Sequence, residues 1–427
     1  KNGKIDTSSY TVEYYEQGSI LSKYYESLES GVPLKQGGFV SYHLNGTKLL
    51  NGEYNLNKKV GVWQEFYDSG TILSETNYDD LNLDNTLKVI FYDVDGNLSI
   101  EANVKSIDID CFTGDYLKYY STGEILQSGY YVDNQKERLW VEFYKSGSLL
   151  SKIDYVNHAG VYYSYFESGE ILSEGYYVDG EKNGKWIEYY KNGNIKNELE
   201  YFNGGVNINK PLLTYASNGA LLSKQFVKMS HGEIIKDGMF FDYFPSGEIK
   251  SRGQFSYGYK AGKWLEFYDT GLIYSELILE NGDGVYESYY PSGKILLRGK
   301  YKKHKREGRW TKFYKNGNKS WEYYYKSDFL DPNQLCYNWY ESGYKRSEGY
   351  LTIYDNKIIW DGSYKEFFEN GVIFLIGEYL KGDKIGLWKQ FYSNRSPHSE
   401  KIYNNGSPSG EWLFYNKFGE IIKVENY

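Results

Sequence analysis

Aromatic doublets recur along this chain, and a flat ring offers a surface to a sugar, a peptide side chain or a cation. Each doublet reads Phe-Tyr or Tyr-Tyr and, in an extended chain, places one ring on each face. One ring then fills the core. The second ring either packs under neighbouring hairpins, which we favour, or forms an exposed binding ladder. The candidate binding tyrosines are Tyr67, Tyr144, Tyr190, Tyr268, Tyr290 and Tyr314.

Glutamates form a second candidate set, two residues after an aromatic residue that we call the anchor of each repeat. In an extended chain the anchor and the glutamate share a face, so successive repeats would build an acidic row. Neutralisation by lysines on adjacent strands is the favoured outcome, and a groove that selects basic partners is the alternative. The candidate binding carboxylates are Glu188 and Glu266, with Glu65, Glu142 and Glu366 at the same position.

No residue pattern in the chain indicates catalysis. The segment from Asp93 to Asn97 is faintly similar to a calcium loop, but it lacks the alternating ligands, and an ordinary Asp/Gly turn is favoured. Phosphate-binding loops and nucleophile elbows are absent from the sequence. We therefore expect no enzyme activity, no catalytic residues, no metal and no cofactor. The five histidines, at no metal-ligand spacing, are His43, His158, His231, His304 and His398.

Composition narrows the class of protein and of partner. The 427 residues include 50 Tyr, 46 Gly and only 7 Pro, which is typical of an ordered, β-rich chain with an aromatic core. The net charge is −8 with both signs interspersed, so no basic stripe is present for nucleic acid. No apolar run approaches the roughly 18 residues that span a bilayer. We expect neither nucleic-acid binding nor integral membrane association.

The stretch from Gly184 to Tyr201 shows the element that positions these residues. In WIEYY side chains alternate between two faces, three turn residues follow, and a second alternating run completes an antiparallel hairpin. Related turns read Pro245-Ser246-Gly247 and Pro291-Ser292-Gly293. Proline fits the second position of a type I turn and the glycine fits a left-handed bulge, so we predict three-residue loops.

Seventeen such units fill the chain when the turn glycine is used as the marker, with Arg395 replacing glycine in one unit. From Gly147 the spacings run 22, 24, 26, 28 and 24 residues and then repeat, which defines a five-hairpin block of 124 residues. The longest intervals of this series, of 27 or 28 residues, carry the segments 104–114, 229–238 and 352–362. We expect these three segments to occupy equivalent places, either lengthening strands or folding over an edge.

The sequence predicts an all-β protein: an elongated tandem array of about 17 antiparallel hairpins that forms a long twisted or curved single-layer sheet. We divide it into an irregular capping hairpin at 1–38, a regular array at 39–394 and less regular capping hairpins at 395–427. Leu212 and Cys336 are unusual anchors within the array.

The recurring motif G-x-W-x-E-F/Y-Y-x-N/S-G-x-I, followed by G-x-Y-x-x-G-x-x-x-G-x-W, resembles the MORN-repeat variant of bacterial multi-repeat, often antitoxin-like, proteins. The resemblance extends from Tyr14 to Tyr427, and GEYLKGDKIGLWKQFY from Gly377 is its best match. It implies stacked antiparallel hairpins, and binding or scaffolding without catalytic residues.

On these grounds we expect a non-enzymatic protein-binding scaffold, antitoxin-like or a surface interaction protein. The alternative is a carbohydrate or cell-wall binder, because aromatic, glycine-rich hairpins also resemble choline- and glucan-binding repeats. The partner is thus another protein or a glycan. The chain begins at Lys1 rather than Met, so the compartment stays open between the bacterial cytoplasm and, if a signal peptide preceded Lys1, the cell surface.

Overall fold

The computed structural model describes residues 10–29, 32–81, 84–106 and 108–427. Within these ranges the chain forms β-strands and no helix, so the predicted all-β class is confirmed. The 36 strands are β1 (Thr11–Tyr14), β2 (Ile20–Glu29), β3 (Val32–Tyr42), β4 (Lys48–Asn55), β5 (Lys58–Phe66), β6 (Ile72–Asn77), β7 (Thr86–Tyr92), β8 (Leu98–Lys105), β9 (Asp108–Tyr119), β10 (Ile125–Val132), β11 (Gln135–Phe143), β12 (Leu149–Val156), β13 (Ala159–Tyr165), β14 (Ile171–Val178), β15 (Glu181–Tyr189), β16 (Ile195–Phe202), β17 (Gly205–Val206), β18 (Leu212–Tyr215), β19 (Leu221–Ser230), β20 (Glu233–Tyr243), β21 (Ile249–Ser256), β22 (Tyr259–Phe267), β23 (Ile273–Glu280), β24 (Asp283–Tyr289), β25 (Ile295–Lys302), β26 (Lys305–Phe313), β27 (Lys319–Lys326), β28 (Phe329–Leu330), β29 (Cys336–Trp339), β30 (Lys345–Tyr354), β31 (Lys357–Phe367), β32 (Ile373–Leu380), β33 (Asp383–Phe391), β34 (Pro397–Asn404), β35 (Ser407–Tyr415) and β36 (Ile421–Asn426).

The strands form one open antiparallel sheet of consecutive hairpins, as the sequence predicted. By their internal contacts the residues form two compact units. The first runs to Asn207 and includes Ser217–Gly219, and the second comprises Ile208–Ala216 and Ala220–Tyr427. The divisions at 38/39 and 394/395 stay predictions. Of the predicted cap at 1–38, residues 1–9 and 30–31 lie outside the described ranges.

Three-residue turns join the two strands of each predicted hairpin, and this prediction is confirmed. The amide of Gly247 donates to the carbonyl of Phe244 (2.8 Å), and the amide of Phe244 donates to the carbonyl of Glu248 (2.8 Å). All seventeen marker positions have a positive φ of 75° to 101°. Arg395 adopts this backbone too, with a φ of 75°, and its amide donates to the carbonyl of Tyr392 (2.9 Å).

Two-residue turns connect consecutive hairpins at the other end of the strands. Both turn residues have positive φ, for example 49° at Leu56 and 67° at Asn57, which is typical of a type I′ turn. These turns also bond to their neighbours, since the amide of Asn57 donates to the carbonyl of Lys35 (3.0 Å). Reversal between hairpins is therefore made by these turns.

The glycine two residues before many anchors forms a break in the strand pairing. Gly61, with a φ of 63°, lies in β5 where the register with β4 shifts between Asn51 and Glu53. Such a shift marks a β-bulge, which bends and twists the strand just before its anchor.

The face of the sheet that carries the anchors, here called the anchor face, holds the core. The anchor tryptophans are only 2% to 9% exposed although they lie on a single layer. Six of these rings each cover a glycine of the preceding strand, where an added Cβ would lie 2.0 to 2.3 Å from the ring. Only glycine leaves room for this contact. The pairs are Gly52 with Trp63, Gly129 with Trp140, Gly175 with Trp186, Gly253 with Trp264, Gly299 with Trp310 and Gly377 with Trp388.

Further aromatic rings surround each tryptophan. The ring of Tyr116, the anchor one hairpin earlier, lies 5.6 Å from Trp140, and that of Tyr131 lies edge-on at 4.7 Å. Tyr162 and Tyr177 repeat this arrangement around Trp186 at 5.4 Å and 5.1 Å. Neighbouring hairpins therefore provide the cover that a second layer supplies in other sheets.

The five-hairpin block stays a prediction, and its longest intervals have a counterpart in the strands. They lengthen the strands of one hairpin; β19 and β20 have 10 and 11 residues, whereas β14 and β15 have 8 and 9. Residue 107 of the first interval lies outside the described ranges. The lengthened hairpins β8–β9, β19–β20 and β30–β31 follow the aliphatic or thiol anchors Val89, Leu212 and Cys336.

The following hairpin also has an aliphatic side chain in place of a ring. Val104, Val227 and Leu351 stand where other hairpins have Tyr54 or Tyr177, and they are 0%, 3% and 3% exposed. Val104 packs in one cluster with Val89, and Leu351 packs in another with Cys336. A smaller anchor and a longer following hairpin thus belong together.

We predict that Gly299→Ala disrupts the sheet locally. The new methyl group would lie 2.0 Å from the Trp310 ring, so the ring must move, at a cost of about 1–3 kcal/mol. Hydrogen exchange followed by mass spectrometry should show faster exchange in β25 and β26. Gly38→Ala is the control, because its methyl group meets nothing within 4 Å. Equal protection in the two variants would contradict this packing.

Candidate binding surface

The six candidate tyrosines occupy one position, the residue before the three-residue turn loop, and all are half-buried. Five of their hydroxyls donate to a carbonyl of the next hairpin, and Tyr190 also has an interaction partner. The hydroxyls therefore tie each turn to the following hairpin. The bonds run from Tyr67 to Tyr92 (2.9 Å), Tyr144 to Tyr165 (2.8 Å), Tyr268 to Tyr289 (2.7 Å), Tyr290 to Phe313 (2.8 Å) and Tyr314 to Trp339 (2.9 Å).

The candidate carboxylates Glu188 and Glu266 lie on the anchor face and accept hydrogen bonds from their own sheet. Glu266 accepts from the hydroxyl of Ser275 (2.8 Å). Glu188 accepts from the amide of Asn197 (2.8 Å), and the Lys196 ammonium lies 3.8 Å away. Neutral donors on the adjacent strand thus contribute more than the lysines that the sequence suggested.

Lysines standing over the tryptophans are a feature that sequence reasoning missed. A lysine four residues before the anchor places its ammonium 4.0 to 4.4 Å from the ring centroid, within cation–π distance. The spacing K-x-x-x-W was visible in the sequence and could have indicated these contacts. The pairs are Lys59 with Trp63, Lys136 with Trp140, Lys182 with Trp186, Lys260 with Trp264 and Lys384 with Trp388.

Burial over the rings changes the titration of these lysines. It lowers the pKa of Lys59 and Lys182, and the negative charges of Glu65 and Glu188 oppose that shift. The anchor face therefore carries a row of half-buried ammonium groups above the tryptophans. Because each lysine covers apolar ring surface, these cations also exclude water from the core.

The other side of the sheet, here called the opposite face, leaves apolar side chains exposed. Leu139, Val161 and Tyr176 are 52%, 48% and 41% exposed. They lie on β11, β13 and β14, and Asp154 of β12 stands between Leu139 and Val161 in the cross-strand pairing. These four residues form a continuous row that we call the β11–β14 row.

The histidines described here do not cluster and make different contacts. The His158 ring lies 3.1 Å from the Glu137 carboxylate, whereas the His304 ring stacks on Tyr259 at 5.0 Å. Across the described ranges no three His, Cys, Asp or Glu side chains converge as a metal site would require. The same part of the chain contains no helix that could cross a membrane.

We predict that Tyr268→Phe loosens the junction between two turns. The change removes the bond to the carbonyl of Tyr289, at a cost of about 0.5–1.5 kcal/mol, and hydrogen exchange should rise around residues 268–290. Tyr176→Phe is the control, because its hydroxyl lies on the exposed opposite face. No increase in exchange for Tyr268→Phe would show that the bond contributes nothing.

The protein should unfold at a higher pH than the pH at which a free tyrosine ionises. Burial, reinforced by a hydrogen bond to Glu174, raises the pKa of Tyr189 to about 12, and burial with Glu287 does the same for Tyr289. A raised pKa contributes stability that is complete below about pH 10 and is lost as pH rises towards the folded value. Circular dichroism and tyrosinate absorbance should therefore change together between about pH 10 and 12. Full ionisation near pH 10 without unfolding would contradict this expectation.

Six segments of the chain are similar to a known repeat family. The family model described as the MORN repeat variant matches residues 59–80, 139–157, 160–179, 182–203, 282–303 and 360–381. No curated protein matches the chain significantly.

Solved structures of toxin complexes align with the chain at very low similarity. TcdB2-TccC3 with Cdc42 is 10% identical over 96% of this chain and 26% of that chain, with a TM-score of 0.16. TcdB2-TccC3 alone is 10% identical over 96% of this chain and 27% of that chain, with a TM-score of 0.17. The Photorhabdus luminescens Tc holotoxin pore is 10% identical over 95% of this chain and 26% of that chain, with a TM-score of 0.16. The chain spans about a quarter of their length, and we draw no conclusion from similarities at this TM-score.

The family match is independent of these alignments. Each matched segment includes one of the three-residue turns with strand on both sides of it, so the repeat motif and the hairpin geometry coincide. The resemblance to the MORN repeat variant is thus confirmed at six segments of the chain.

Proposed function

We propose that the chain is a non-enzymatic protein-binding scaffold that presents the opposite face of its sheet to another protein. The observation that carries the proposal is the β11–β14 row, in which exposed leucine, valine and tyrosine alternate with a carboxylate. Mixed rows of this kind, with aromatic and aliphatic side chains beside charges, are typical of protein interfaces.

The same positions in the second unit support this surface. One block later the row reads Lys263, Ile278, Val285 and Lys300, and Ile278 and Val285 are 52% and 45% exposed. Apolar centres with different charges around them would let the two units select different parts of one partner, or different partners.

A binding function without turnover agrees with the anchor face. Its tyrosine hydroxyls and glutamates are engaged by neighbouring strands, and its lysines stand on tryptophan rings. The tyrosines, glutamates and lysines described above thus take part in contacts within the sheet. The tyrosine row gives less support to the glycan alternative, because its hydroxyls bond to the backbone.

The family resemblance adds a biological setting to the proposal. Bacterial MORN-variant proteins of this type are often antitoxin-like, so the proposed partner is a toxin in the bacterial cytoplasm or a protein at the cell surface. The structure favours neither compartment.

Substitution within the β11–β14 row tests the proposal. Leu139→Ser, Val161→Ser and Tyr176→Ser combined should abolish capture of the partner from the native cell by crosslinking, without changing the circular dichroism spectrum. Leu44→Ser is the matched control, because Leu44 is 59% exposed but lies in a turn. Undiminished capture by the triple variant would overturn the assignment of this face.

A further inference from the structure

We propose that a groove over the Cys336 hairpin is a saccharide-binding site. The anchor of that hairpin is a cysteine, whereas most hairpins place an aromatic ring there. Cys336 is 0% exposed, so its thiol is covered by the surrounding side chains. Leu351 packs in one cluster with Cys336 and also lines the groove, which connects the groove to this substituted anchor.

The cleft has the size and lining of a small-ligand site. Its volume is about 400 Å³, and Tyr323, Asn338, Ser347, Trp360 and Tyr364 line it. A volume in this range suits one or two sugar rings. All of these residues belong to the second unit.

The floor of the cleft is a chain of hydrogen-bonding groups. The Tyr323 hydroxyl donates to Oδ1 of Asn338 (3.1 Å), and Nδ2 of Asn338 donates to Oγ of Ser347 (2.9 Å). An asparagine amide can make more bonds than these two, because it has two donors and two acceptor lone pairs. The floor therefore holds fixed donors and acceptors that match the hydroxyls of a sugar.

Aromatic rings form the walls. One side of the Trp360 ring covers Gly349, where an added Cβ would lie 3.1 Å from the ring. The Tyr364 ring lies 4.8 Å from Trp360 at 58°, so the two rings meet at an angle rather than stacking closed. Burial raises the pKa of Tyr323 to about 12, as expected for a hydroxyl enclosed among these side chains.

A saccharide fits this combination better than an apolar ligand or a peptide. A pyranose ring has a face of C–H groups that packs on an aromatic ring, and a rim of hydroxyls that needs fixed polar partners. Arg346 lines the same cleft, and its guanidinium is loosely held, 4.0 Å from the Glu366 carboxylate. A sugar that also carries a carboxylate would gain a charge-assisted bond there.

Of the three consecutive blocks that begin near Gly46, Gly169 and Gly293, the third contains the cleft, and the second lacks this set of residues at the same positions. Leu199, Thr214 and Lys236 stand 124 residues before Tyr323, Asn338 and Trp360. Lys236 lies over the Phe240 and Phe255 rings, at 5.4 Å and 4.9 Å, as an ordinary cation over a core ring. The cleft is therefore a departure of the third block, which still folds as the others do.

This difference supplies fold-compatible variants. Asn338→Thr combined with Trp360→Lys gives the third block the residues that the second block has at these two positions. The probes are maltotriose, cellotriose, triacetylchitotriose and trigalacturonic acid, each added to the full chain and to the variant. Saturation-transfer NMR detects binding, and titration gives the dissociation constant.

We expect at least one probe to bind with a dissociation constant of about 0.1–1 mM. The double variant should bind at least about tenfold more weakly, with an unchanged circular dichroism spectrum. Thr214→Asn, the reverse change in the second block, should leave the affinity unchanged. No saturation transfer to any probe, or equal affinity of the double variant and the parent chain, would overturn the proposal.

Discussion

A tryptophan ring lying flat on a glycine of the preceding strand is the contact on which this sheet depends. A single layer has no second sheet to cover its rings, so each ring must be buried by its own neighbours. The glycine opens the space below, aromatic rings from adjacent hairpins close the sides, and a lysine covers the top. Trp140 and Trp388 are 2% exposed as a result. Replacing that glycine removes the space, whichever other contacts remain.

As a result, the two faces of the sheet have different roles. The anchor face uses its tyrosines, glutamates and lysines to join hairpin to hairpin, so residues that look like a binding ladder in the sequence have structural partners. The opposite face carries cross-strand ion pairs such as Lys185 with Glu198 (2.9 Å) and leaves apolar side chains between them. Binding is therefore best placed on the opposite face, and on the anchor face only where the ring pattern is interrupted, as at Cys336.

Local features of the fold could be predicted from the sequence, and features that depend on distant partners could not. Strand alternation around Trp186 and the turn at Pro245 both follow from short-range residue patterns. The β-bulge at Gly61, the bond from Tyr268 to the next hairpin and the cleft near Asn338 depend on which residues meet across strands. Spacing alone did not indicate which side of each tyrosine is covered, or that a smaller anchor is matched by a longer hairpin.

The central claim about this sheet is that its anchor face is the buried core and its opposite face is accessible to solvent. Hydroxyl-radical footprinting of the intact chain, read by mass spectrometry, measures this directly. Tryptophan is intrinsically far more reactive than the aliphatic residues. We nevertheless predict that folding slows the modification of Trp140 and Trp388, relative to the unfolded chain, by a much larger factor than it slows the modification of Leu139 and Val161. Strong protection of Leu139 and Val161 together with rapid oxidation of Trp140 and Trp388 would contradict this assignment of the two faces.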